Sequence, residues 1–172
     1  MKTSLKGMLA GCILVAFMCG CKKKDADGGM RVVMTDAPGD YLHVYVDVQK
    51  VEAHYANGNN WVTLNTNAQV YDLLTLQNNV TAVLANNTQV PAGKVSQMRL
   101  MLGTNNSVVL STDSSTHPLI IPSSYQSGVK INIDATIPSS QTVTITLDFD
   151  ADKSIHKEGN GDYTMNPVIS AK

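Results

Sequence analysis

Cysteine is scarce in this 172-residue chain, and all three copies, Cys12, Cys19 and Cys21, fall near its start. Whatever the rest of the chain builds therefore has no disulfide, no thiolate metal centre and no cysteine nucleophile. Aromatic residues make up 5% and charged residues 16% of the chain, while Thr, Ser, Asn and Val are plentiful. That balance speaks against a charged, helix-rich cytosolic enzyme and for an exported β-rich protein. Basic residues are few beyond the first segment. Lys2, Lys6, Lys22, Lys23 and Lys24 all precede Met30, and from there on 8 basic residues face 12 acidic ones, a net charge of -4. Nucleic-acid binding needs clustered Lys and Arg to neutralise phosphates, so that class is excluded. There is no G-x-S-x-G elbow and no paired acid–base signature, which leaves an enzyme as the least supported class.

Long apolar runs are lacking too. The single candidate, Met8 to Gly20, falls short of the roughly 20 residues a spanning helix needs. Preceded by Lys2 and Lys6, it instead has the n-region and h-region of a secretory signal peptide. "LAGC" ending at Cys12 and "MCGC" ending at Cys21 both look like a bacterial lipobox. Cleavage before Cys12 would leave almost no h-region and an apolar mature N-terminus. Cleavage before Cys21 uses the whole apolar run and leaves the polar tether "KKKDADGG". The expected organisation is a removed signal peptide at 1–20, a lipidated Cys21 with a flexible tether at 21–29, and one domain at 30–172. The plainer alternative, an ordinary secreted protein, would leave Cys21 as an unpaired thiol. By resemblance to bacterial lipoproteins, signal peptidase II cuts before Cys21, and the attached acyl chains hold the protein on a membrane. Lys22 is not the aspartate that resembles an inner-membrane retention signal, so the expected place is the outer membrane of a Gram-negative cell envelope, on either face.

Beyond Gly29 the dominant pattern has period two, that of half-buried strands. Leu42, Val44, Val46 and Val48 alternate with Tyr41, His43, Tyr45 and Asp47; then Val51, Ala53 and Tyr55 oppose Lys50, Glu52 and His54. The inward parity flips near Gln49, as at a β-bulge or a strand passing between sheets. Met98–Leu102, Val129–Ala135 and Val143–Phe149 alternate similarly, separated by "DAPGD", "NGNN", "VPAG", "IPSS" and "GNGD". Leu73 to Asn87 permits at most short helical turns. About eight short strands with one-sided burial predict an all-β fold, an antiparallel β-sandwich of immunoglobulin-like or transthyretin-like character.

The ordered trio "MTDAPGDY", "VPAGKVSQMRLML" and "LDFDADKSIHKEGNGDYTMNPVI" resembles a family of exported prokaryotic domains of unknown function, often borne on lipoproteins. Val95 departs from it, standing where the family usually has an aromatic residue. The resemblance implies a β-sandwich in the cell envelope and supplies no catalytic residues.

Three residue groups are candidate sites. Asp148, Asp150 and Asp152 alternate along a strand and could present carboxylates to calcium, which takes roughly six to eight oxygens, so Asp36, Asp40 or Asp162 would have to join. The competing reading has them ending a wet strand and capping a turn. Tyr41, His43 and Tyr45 share a strand face, with Trp61 near in sequence, and such a face could stack on sugar rings; equally, the tyrosines could cover a sheet and Trp61 fill the core. His43 and His54 have opposite parity, and His117 and His156 fall in loops. The expectation is a non-enzymatic, lipid-anchored envelope module that binds another envelope protein or a surface structure. Carbohydrate binding is the alternative, and calcium-stabilised adhesion a further one; no cofactor other than calcium is expected.

Overall fold

The computed structural model describes residues 26–58 and 61–172. Cys21, the signal segment and most of the tether lie outside the described residues. Thirteen strands follow in chain order: β1 (Gly28–Asp36), β2 (Tyr41–Tyr55), β3 (Trp61–Thr63), β4 (Gln69–Asp72), β5 (Ala82–Val90), β6 (Gly93–Leu102), β7 (Ser107–Leu110), β8 (Thr116–Ile120), β9 (Val129–Ile137), β10 (Thr142–Phe149), β11 (Ile155–Lys157), β12 (Tyr163–Met165) and β13 (Ile169–Ala171). Single helical turns at Leu73–Leu76, Ser123–Tyr125 and α1 (Ala151–Ser154) are the only helix among the described residues.

The strands form two sheets. One has the order β13-β10-β1-β5; the other runs β11-β12-β8-β7-β2-β6-β9, with β3 and β4 also paired to β2. Met30, Val32, Met34, Leu147 and Phe149 from the first sheet share one core with Val44, Val46, Val48, Val51, Met98 and Leu100 from the second. The fold is an all-β sandwich, as the alternation predicts. It has more strands than the eight or so expected, because short segments such as β3, β4, β11 and β12 carry too few residues to show a period. Nor is pairing wholly antiparallel: β1 lies parallel to β10 from Gly29↔Thr142 to Asp36↔Phe149, and β12 lies parallel to β8.

The first strand begins earlier than the tether reading allows. Gly28 and Gly29 belong to β1, and a Cβ on either would meet Pro138 O at 2.4 Å or Thr142 Oγ1 at 2.3 Å. These glycines serve close packing against the β9–β10 turn and not flexibility. The parity flip near Gln49 is a β-bulge, since Val48 pairs with Leu102 but Lys50 with Met101. A second shift, between Tyr41 and His43, turns Leu42 outward, 44% exposed, where the alternation places it inside.

Candidate functional site

Strand directions give the sandwich two ends. The chain enters at the near end, where Gly28 meets Val90 and the 138–141 turn. The far end is formed where β1 and β10 finish side by side, and it gathers the first and third sequence motifs. Ala37 N–H donates to Phe149 O at 2.9 Å, and Ala151 N–H donates to Asp36 Oδ1 at 3.1 Å. Asp150 caps α1 by accepting from Lys153 N–H at 3.0 Å. The middle motif begins in the β5–β6 turn at the near end and continues through β6, so the trio does not make a single site.

Asp36 is the most perturbed carboxyl at the far end. It is buried, and its Oδ2 has no hydrogen-bond partner among the described residues; neither has the buried Nε2 of Gln77 beside it. Burial pushes its pKa from 3.8 up to about 7, with the negative charges of Asp150 and Asp148 acting the same way and the Ala151 hydrogen bond and the nearby Gln77 amide opposing. Thr35 extends this joint, its hydroxyl donating to Leu76 O at 2.8 Å. Asp36 therefore pins the 36–40 loop to α1 from below; it does not face solvent.

Above that joint a groove of about 340 Å³ runs between Tyr41 and Tyr163, with Asp40, Thr112 and Lys157 on its rim. A smaller recess of about 180 Å³, formed by Pro38, Gly39, Asp40 and Asp152, continues it. Burial raises the pKa of Tyr41, and the charges of Asp152 and Asp40 add to the rise. Lys157 Nζ stands 5.8 Å from the centre of the Tyr163 ring, and His117 packs on the same ring at 4.7 Å. The groove offers the partly exposed Tyr41 ring, the buried edge of Tyr163 at its base, hydroxyls and charges of both signs. Sequence reading points to Tyr41 but misses Tyr163 and Lys157, because β11 and β12 are three-residue strands; His117 and His156 lie in β8 and β11, not in loops.

The structure separates the other expected groupings. Asp148 pairs with Lys172 at 2.7 Å and Asp150 with Lys153 at 2.6 Å, while Asp152 is exposed in α1. Strand geometry ends at Phe149, so the three carboxylates do not alternate along one face. Among the described residues no group of three or more His, Cys, Asp or Glu is placed to hold a metal ion. Tyr41 packs toward the core and the groove, whereas His43 and Tyr45 stack at 5.5 Å on the outer sheet face, with His43 Nδ1 2.7 Å from Asp72 Oδ2. The extra residue between Tyr41 and His43 causes this split. The Gln49 bulge brings His54 onto the same face as His43, but eleven residues along β2, beyond any shared metal.

Trp61 does not fill the core. It lies on the outer face with Arg99 Cζ 4.3 Å from its ring centre and His54 at 5.2 Å. Arg99 in turn donates to Glu52, which also accepts from Thr63. Burial alone would raise the Glu52 pKa; the Arg99 and Thr63 hydrogen bonds outweigh it and hold the carboxyl below its usual range.

Two sheets packed on one core, with a loop-built groove at one end, define a β-sandwich domain. Residues 27–167 match the family described as Domain of unknown function (DUF4382), and the chain belongs to it. No curated protein and no solved structure matches the chain.

Proposed function

We propose that the protein is a lipid-anchored component of the cell envelope, held through Cys21 in the outer membrane of a Gram-negative bacterium. It acts there as a non-catalytic binding or assembly module toward another envelope protein or a surface structure. One observation carries this reading: the tether joins the sandwich at one end, and the groove built by the first and third motifs opens at the other. An anchored module needs that separation, because its contact site must face away from the bilayer. The likeness of the motifs to domains borne on exported lipoproteins agrees with it.

The test is fractionation and surface labelling of cells with a Cys21→Ala control. Wild-type protein is expected in the outer-membrane fraction, and Cys21→Ala protein is expected to be released. Wild-type protein recovered as soluble would overturn the reading. Accessibility of the domain to added protease on intact cells then decides between the outer and the periplasmic face.

The partly exposed Tyr41 ring in the groove favours carbohydrate as the second reading. It places the stacking residue at Tyr41 and not at the His43–Tyr45 pair, so Tyr41→Ala should abolish retardation in polysaccharide affinity gels while Tyr45→Ala should not. Unchanged mobility of Tyr41→Ala would remove it. Calcium-stabilised adhesion has less support, since two of its three aspartates are engaged by lysines.

A further inference from the structure

The near end has a chemistry of its own. Three connections form it, residues 55–58, 90–93 and 137–141, and none contains a charged side chain. Asp27 and the Lys94–Asp134 pair, closed at 2.9 Å, border it. Between the first two connections opens a cleft of about 330 Å³, walled by Tyr55, Val62, Pro91 and Ala92 with Lys94 at its edge. Tyr55 is half-buried there, and its hydroxyl makes no hydrogen bond among the described residues. Gly93 (φ +145°) lets the turn close beside the Tyr55 ring; a Cβ there would sit 3.6 Å from it. The far end differs sharply, with Asp36, Asp40, Asp148, Asp150 and Asp152 against Lys153, Lys157 and Lys172.

We propose that this uncharged end is a bilayer-docking surface whose cleft receives phospholipid at the boundary of headgroup and acyl chain, so that the domain stands on the membrane with its acidic end outward. The proposal rests on the reading that Cys21 carries lipid. From Cys21 to Asp27 the chain advances six residues, which reach at most about 20 Å even when extended. The nine residues of β1 carry the far end about 30 Å beyond that. The near end is thus the part of the sandwich that the anchor draws to the surface. The Tyr55 ring and Pro91 give the cleft apolar walls suited to acyl carbon just below the headgroups, while the Tyr55 hydroxyl is turned inward. An anionic leaflet attracts Lys22, Lys23 and Lys24 of the tether and repels the carboxylates of the far end, which sets the same orientation.

The test uses the lipidated protein in vesicles of phosphatidylethanolamine and phosphatidylglycerol. With the Cys21 sulfur in a thioether and Cys12 and Cys19 removed, one introduced cysteine is the only free thiol. An environment-sensitive fluorophore is attached at Asn57→Cys on the near end or at Thr112→Cys on the far end. The expected result is a blue-shifted, brighter emission at position 57 on vesicle binding and none at 112, with the shift at 57 lost when Pro91→Asp is added although the protein still floats with the vesicles. Co-flotation with water-like emission at both positions overturns the docking and leaves the anchor standing. A shift at 112 alone overturns it by reversing the orientation. Failure to float overturns the anchor, and the docking with it.

Discussion

At the scale of single residues, burial and pairing pull two carboxyls in opposite directions. Asp36 ionises at about 7 in the folded chain against 3.8 ordinarily. Between those values the folded protein keeps a proton that the unfolded chain has lost. Its effect on stability is therefore a decline as pH rises from about 4 to about 7, with no further change above. Asp36→Asn removes the titration: the melting temperature of wild type minus that of the variant should fall through this window and then level off. A flat difference would show that the carboxyl titrates normally. Glu52 behaves in the reverse sense. Its lowered pKa gives stability that is present above the ordinary carboxylate range and lost as pH falls through its folded value. Arg99→Ala strands the Glu52 carboxylate and should cost about 2 kcal/mol in urea unfolding at neutral pH, less than a deeply buried pair because Arg99 remains partly open to water. Adding Glu52→Gln to Arg99→Ala should recover part of that loss. The sequence marks Asp36 only as a loop carboxylate, since the backbone that engages it lies 115 residues away.

Among the elements, β2 shows what alternation can and cannot convey. Its change of parity is legible because the apolar residues on both sides of Gln49 are numerous enough to fix two phases, and a bulge is the cheapest way to join them. The shift at Leu42 is not legible, because only Tyr41 precedes it in the strand. What fills the Gln49 bulge is equally hidden. Asp47 is buried there; its backbone N–H donates to Asn106 Oδ1 at 2.9 Å, and its Oδ2 accepts from Asn105 N–H at 3.2 Å. Gly103, at the joint between β6 and β7, donates its N–H to Asp47 O at 2.8 Å. A Cβ on Gly103 would stand 2.2 Å from Asp47 Oδ2. Gly103→Ala must therefore displace a buried carboxylate from its hydrogen bonds, and a loss of about 2 kcal/mol is expected in thermal or urea unfolding. Gly58→Ala, whose Cβ would meet nothing nearer than 3.9 Å among the described residues, is the matched control and should be close to neutral.

For the whole molecule, the layered β architecture was legible because each long strand has one wet face, while the sheet order was not. Nothing in the alternation of Val143–Phe149 says that its neighbour is β1, more than a hundred residues earlier and parallel to it. That pairing makes β1 a central strand, bounded by β10 on one side and β5 on the other, with Met30, Val32 and Met34 fully buried. Its removal would open the small sheet between β10 and β5 and leave half the core without a partner layer. Ala26 and Asp27, by contrast, precede the strand and add no side chain to the core. A chain starting at Ala26 should therefore melt cooperatively by far-UV circular dichroism, and with the same midpoint as the signal-cleaved protein. One starting at Tyr41 should show no cooperative transition, because the loss of three core side chains, at about 2–5 kcal/mol each, together with the ladder of a central strand matches or exceeds the roughly 5–15 kcal/mol by which domains are stable. If the shorter chain melted like the longer one, the parallel β1–β10 pairing would not be the link that holds the far-end groove to the near end.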